Sequence, residues 1–184
     1  KKKHIVIIGA GLVGSLLSLY LRKRGYKVDV YERRVDLRQA GIRAGKSINL
    51  ALSNRGIRAL KEVGIDSELE DLIIPMKGRI MHDHQGNLKF QPYGKESQAI
   101  NSISRGGLNS LLMDKAEAAG VKFHFNIRCV GIDFERTVAY LESNDASFDL
   151  HADLILGADG AYSAVRQAMQ KTDRFNFSQD YITH

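Results

Sequence analysis

A chain of 184 residues, 43% hydrophobic and 26% charged, is long enough for one sizeable core and short for two. Its single cysteine, Cys129, excludes an internal disulfide and fits a reducing, cytoplasmic setting. The net charge of +6 is scattered, without aromatic interleaving or a reading motif, which argues against nucleic acid and for attraction of anionic cofactors and substrates. No apolar run approaches a membrane span, and glycines break the run behind Lys1-Lys2-Lys3 too soon for a signal peptide.

The first element is the apolar run Ile5 to Ile8, which feeds into Gly9-Ala-Gly11-Leu-Val-Gly14 and then an amphipathic stretch. Lys27-Val-Asp-Val-Tyr-Glu32 reads as the next strand. Each glycine has a physical task here. Gly9 permits the strand-to-helix turn, Gly11 admits a diphosphate to the backbone, and Gly14 lets the helix pack on the strand. The helix N-terminus offers free N–H groups to phosphate oxygens, and Glu32 stands where a carboxylate can accept from a ribose diol. The plainer alternative is a βαβ unit whose glycines serve the turn alone; strand, helix and acidic terminus in register favour dinucleotide binding.

A polar stretch, Arg33 to Lys46, precedes the apolar Ile48 to Leu52. Asn54 to Val63 reads as a helix ended by Gly64, and 66–74 as a further short helix. Arg79 to His84 and Leu88 to Gln91 suggest strands around the turn at 85–87. Ser104 suits the cap of a helix whose stripe is Leu108, Leu111, Leu112, Ala116 and Ala119. Val121 to Phe125 alternates like a strand. Cys129 to Phe134, Thr137 to Leu141 and Phe148 to Leu150 suggest a small antiparallel meander, and Asp153 to Leu156 a buried strand. That strand meets a second glycine turn, Gly157-Ala-Asp159-Gly160, ahead of a helix capped by Ser163. A glycine-flanked aspartate such as Asp159 can accept from a ribose or from loop amides.

The two glycine turns together resemble the paired signatures of the single-component flavoprotein aromatic hydroxylases. Gly45 to Ser53, Ile74 to His82, Gln91 to Gly94, Ile103 to Arg105 and Arg174 to His184 resemble the kynurenine 3-monooxygenase branch of that family. The resemblance implies an α/β fold: a Rossmann-like FAD-binding domain with the first strands of a mostly β substrate-binding layer. Its expected organisation is 1–74 for FAD, 75–100 for the substrate layer, 101–173 for FAD again, and 174–184 as lead-in to a substrate domain beyond this chain.

The same resemblance implies FAD roles for Val13, Tyr31, Glu32, Arg33, Arg34, Ala51, Arg105 and Cys129, beside Gly9, Gly11, Gly14, Asp159 and Gly160. It implies that Arg79 and Tyr93 hold the substrate carboxylate, a guanidinium fork plus a phenol donor being suited to that anion. Read without it, Arg79 is a surface strand arginine and Tyr93 a turn aromatic. The implied reaction is hydroxylation of L-kynurenine to 3-hydroxykynurenine with NADPH and molecular oxygen through a flavin hydroperoxide, and no side chain is required as nucleophile. A homodimer is compatible with the sequence. The family's enzymes are longer than this chain, so it reads as their N-terminal part.

Alternatives remain at this level. Another aromatic-ring hydroxylase shares every feature except the branch-specific motifs. A nicotinamide dehydrogenase shares the opening fingerprint but not the turn at 157–160. A fragment that binds adenine nucleotide without turnover shares both. His82 and His84 read as surface strand histidines, since no third metal ligand stands near them in sequence. Cys129 has no CxxC partner and reads as a small buried residue.

Overall fold

A computed structural model describes residues 2–39, 49–95 and 98–171. The motif residues 45–48 and the ending 174–184 therefore lie outside the described residues. In chain order the elements are β1 (His4–Ile8), α1 (Leu12–Lys23), β2 (Lys27–Tyr31), β3 (Asn49–Leu52), α2 (Asn54–Glu62), α3 (Asp66–Glu70), β4 (Ile73–Met76), β5 (Gly78–His82), β6 (Leu88–Pro92) and β7 (Ile100–Ser104). There follow α4 (Arg105–Ala118), β8 (Lys122–His124), β9 (Arg128–Asp133), β10 (Val138–Glu142), β11 (Ser147–His151), β12 (Leu154–Gly157) and α5 (Ala164–Gln170). Contacts divide the chain into two units, Lys1–Gln39 with Leu112–His184, and Ala40–Leu111.

The first unit is built on a parallel sheet of order β12-β1-β2-β8. Its central strands are apolar on both faces, as a strand covered on both sides must be. Ile5, Ile7, Val28 and Val30 are buried, and α1 packs along β1 and β2. Val6, Ile8 and Tyr31, on the other face, form one core with Cys129, Ala139, Leu141 and Val165. These partners come from the antiparallel meander β11-β10-β9 and from α5, so a β layer covers the second face of the sheet. The meander expected over 129–150 is present.

That cover buries a charge. Asp29 is 5% exposed, and its two carboxylate oxygens lie 2.6 Å from His4 Nε2 and 2.9 Å from His124 Nε2. Burial pushes the Asp29 carboxyl up, but the hydrogen bonds to His124 and His4 and the charges of His4 and Lys27 outweigh it, leaving the group below the ordinary carboxylate value. A carboxylate held lower in the folded than in the unfolded chain adds stability above its unfolded value, about 3.9, and loses that contribution as pH falls through the folded value. Asp29→Asn is thus expected to flatten the fall of melting temperature below about pH 4. A variant with the wild-type acid limb, by scanning calorimetry between pH 3 and 6, would remove Asp29 as its source.

The second unit holds an antiparallel sheet of order β3-β7-β4, the helices α2 and α3, and the separate hairpin β5-β6. Helix α2 occupies the expected span and stops at Gly64, whose φ is +82°. The segment 66–74 departs from expectation: the helix ends at Glu70 and the chain enters strand β4 at Ile73. Pro75 disfavours helix in the residue before it, and an edge strand tolerates its missing N–H. The strand expected through His84 stops at His82, because Asp83 turns the chain by accepting from the amides of Gln85 and Asn87. Ser104 Oγ accepts from Gly107 N at 3.2 Å, the helix-starting bond expected of it.

Candidate functional site

Three parallel strands end side by side, and the loops that leave them carry the nucleotide motifs. In the sheet order β12-β1-β2, Ile8 pairs with Gly157 on one side and Tyr31 on the other. The turns at 157–160 and 9–14 and the residue Glu32 are therefore neighbours at the C-terminal edge of one sheet. A crevice outside that edge is where open α/β sheets take ligands.

The glycines separate into those the fold requires and one it does not. Gly9 has φ +105°, and a Cβ there would lie 2.5 Å from Ala158 O, so it is pressed against the second glycine turn. A Cβ on Gly14 would lie 1.9 Å from Gly9 O, which is helix-on-strand contact at its closest. Gly160 needs its glycine for a φ of +80°. Gly11 differs from all of them. Its φ of −73° and ψ of −179° suit any residue, and a Cβ there meets nothing within 4 Å. Gly11 also caps α1 without a side-chain bond, and the first turn has no acidic residue. The N–H groups of that turn, which a helix cannot satisfy internally, open onto space in which an anion could approach the backbone closely. The residues present fit a diphosphate.

Glu32 is fixed before any ligand arrives. Its Oε2 accepts from Ala10 N at 2.9 Å and its Oε1 from Arg34 N at 3.0 Å. Each carboxylate oxygen retains acceptor capacity, enough for the two hydroxyls of a ribose. Arg33 and Arg34 follow, both exposed. Val13 stands 68% exposed in the first turn of α1, an apolar side chain that the core does not claim. Tyr31 is buried and stacks on His124 with ring centroids 4.4 Å apart. Cys129 lies in the core with it, and burial pushes its thiol up to about 11, which suits a packing residue and not a thiolate.

Asp159 spends its carboxylate on the protein. Oδ1 accepts from Ser163 Oγ, while Oδ2 accepts from Ala164 N at 2.6 Å and Val165 N at 3.3 Å. Ser163 Oγ in turn accepts from Arg166 N at 3.0 Å, so it is the cap expected. Of the two uses foreseen for Asp159, the loop-amide use is the one occupied. Arg166 donates to the carbonyls of Gly160 and Ala161, which holds the turn from the other side.

Ala51, Arg79, Tyr93 and Arg105 belong to the second unit. Ala51 sits mid-strand opposite Ser102, and Arg105 opens α4. In the hairpin, Arg79 pairs with Gln91, and its Nε donates to Gln91 Oε1 at 2.8 Å. Tyr93 N donates to Lys77 O, which continues the same register. Alternation then places Arg79, Gln91 and Tyr93 on one face of the hairpin and Ile80, Leu88 and Phe90 on the other. Sequence reasoning did not single out Asp29, His4, His124 or Arg38. For Asp29 the signal was a lone carboxylate inside an apolar strand.

Comparison with known proteins agrees with this geometry. Residues 2–183 match the FAD binding domain family. A kynurenine 3-monooxygenase of Christiangramia forsetii is 47% identical over 99% of this chain, and one of Sus scrofa is 45% identical over all of it. The chain spans 41% and 40% of those two relatives. Among solved structures, the tetrameric form of 2-methyl-3-hydroxypyridine-5-carboxylic acid oxygenase superposes with a TM-score of 0.75 at 24% identity, covering 92% of this chain and 42% of that one. The flavin-dependent monooxygenase PieE, solved with FAD and substrate, gives 0.78 at 17% identity, covering 92% and 32%. Among the described residues no helix is long and apolar enough to cross a membrane. The chain belongs to the family of FAD binding domains, and its fold is the Rossmann-like one of the flavoprotein aromatic hydroxylases.

Proposed function

We propose that this chain is the FAD-holding part of a monooxygenase that hydroxylates L-kynurenine at the 3-position, using NADPH and molecular oxygen. The observation that carries the cofactor half is Gly11, a glycine whose own fold does not need it, with open space about its Cα at the N-terminus of α1. The names of the relatives support the substrate half. FAD supplies the redox chemistry when bound. The chain's own residues bind and orient. The first turn of α1 meets the diphosphate and Glu32 takes the ribose; the resemblance to the family adds cofactor roles for Val13, Tyr31, Arg33, Arg34 and Cys129 in the first unit and for Ala51 and Arg105 in the second. Asp159 and Gly160 shape the second turn. Residues 75–100 form the substrate-side layer, in which Arg79 and Tyr93 hold the carboxylate of kynurenine from their shared face.

The test is substrate binding in the natural protein. Arg79→Met is expected to raise the kynurenine dissociation constant by about 2–5 kcal/mol equivalent, the cost of leaving a charged partner unpaired, with flavin content unchanged. Arg79→Lys should recover only part, since an ammonium lacks the planar fork. Normal kynurenine binding by the Met variant, or NADPH oxidation stimulated by other aromatic acids and not by kynurenine, would overturn the substrate assignment.

A further inference from the structure

The segment after Glu32 carries the two exposed arginines assigned to FAD, and the structure holds that segment at both ends. At the near end, Glu32 N donates to His124 O, Ile127 N to Glu32 O and Asn126 N to Arg34 O. These bonds tie the end of β2 to the stretch after β8. The far end is held by one side chain. Arg38 Nε and Nη2 donate to the Asp36 carboxylate, Nη1 donates to Asp114 Oδ1 at 2.8 Å and Glu117 Oε2 at 2.6 Å, and Nη2 reaches Glu117 Oε1 at 3.1 Å. The guanidinium also lies 5.8 Å from the centroid of the Phe125 ring. All five N–H donors of the fork are engaged. The side chain is 18% exposed, and Asp36 is buried beside it.

We propose that Arg38 is a positioning residue for the cofactor: by clamping residues 33–38 onto α4 and Phe125, it sets where Glu32, Arg33 and Arg34 stand for the ribose and diphosphate of FAD. The inference rests on the FAD reading above. Its logic is electrostatic. Asp36, Asp114 and Glu117 converge on one point, and Arg38 is the cation that lets them do so. Without it, the exposed Asp114 and Glu117 carboxylates face that of Asp36 with no cation between them, and the buried Asp36 loses its partner. The segment must then move away from α4. Arg34 N, which orients Glu32 through Oε1, lies on that segment, so the displacement reaches the ribose site. Lysine cannot replace the fork, because a point charge with three donors does not span three carboxylates in a plane.

A merely structural arginine and a positioning one are separable by experiment. FAD affinity of the natural protein is measured by flavin fluorescence well below the melting temperature, alongside the melting temperature of the flavin-free form. Arg38→Met is expected to raise the FAD dissociation constant about tenfold, the effect of losing one well-placed charge-assisted contact, and Arg38→Lys to fall between it and wild type. Glu117→Gln, which keeps Arg38 and its bonds to Asp36, gives the same test if the Met variant does not fold; it should weaken FAD about threefold. Lower melting temperatures with unchanged FAD affinity in the folded variants would overturn the proposal and leave Arg38 a stabilising residue only. Failure of the wild-type protein to bind FAD would overturn the FAD reading itself, and this inference with it.

Discussion

Alanine at Gly14 is expected to lower stability and flavin affinity together, whereas alanine at Gly11 should lower flavin affinity alone. The difference lies in what each new methyl meets. At Gly14 it would stand 1.9 Å from the carbonyl oxygen of Gly9, a backbone atom that cannot step aside. Helix α1 must then lift from β1, or the Gly9 peptide must turn. Overpacking a core costs about 1–3 kcal/mol and occasionally more, and a backbone overlap falls at the upper end. For a chain of this size that is a fall of roughly 6–12 °C in melting temperature. The lifted helix also carries its N–H groups away from the diphosphate. At Gly11 the methyl meets nothing within 4 Å, so the melting temperature of the flavin-free protein should stay within about half a kcal/mol equivalent of wild type. Its methyl fills the place where phosphate oxygens would approach. Thermal scans of both variants, with and without FAD, decide the matter. Equal FAD binding by Gly11→Ala and wild type would remove the diphosphate from this turn.

That contrast also marks where the sequence was legible. Glycine spacing announced the β1–α1–β2 unit because the motif concerns close approaches within a few residues. It could not show which glycines packing requires, since the Gly9 constraint comes from Ala158, about 150 residues away in the chain and adjacent in the sheet, while Gly11 meets nothing within 4 Å. Strand β7, Ile-Asn-Ser-Ile-Ser, was not legible as a strand. Two isoleucines three apart do not alternate, and its extended form comes from pairing with β3 and β4 on either side. Asp29 was hidden for a similar reason. Lys-Val-Asp-Val-Tyr reads as a strand, and nothing in it says that the aspartate at its centre is buried. Its partners His4 and His124 come from strands on both sides of it. Arg38 likewise meets Asp114 and Glu117 only after the chain has folded. Local chemistry was readable; convergence of distant charges was not.

Glu32→Ala is expected to weaken FAD through two losses that can be told apart. The first is the proposed bond to the ribose, charge-assisted and worth about 1.5–3 kcal/mol, or roughly a 10- to 150-fold rise in dissociation constant. The second is the turn itself. Glu32 ties Ala10 N in the glycine turn to Arg34 N in the following segment, so its carboxylate joins the two loops that flank the crevice. Removing it takes that shared acceptor from both amides and lets the loops drift. Glu32→Gln separates charge from shape. The amide has one acceptor oxygen where the carboxylate has two, so one backbone N–H is left facing an NH2 donor. Gln should therefore fare nearly as badly as Ala, although it is almost the same size. Flavin titration of both variants, with the melting temperature of the flavin-free forms as reference, reads the two losses. If Gln bound FAD as tightly as wild type, neither the charge nor the paired acceptors would matter, and the ribose would have to be held by other groups.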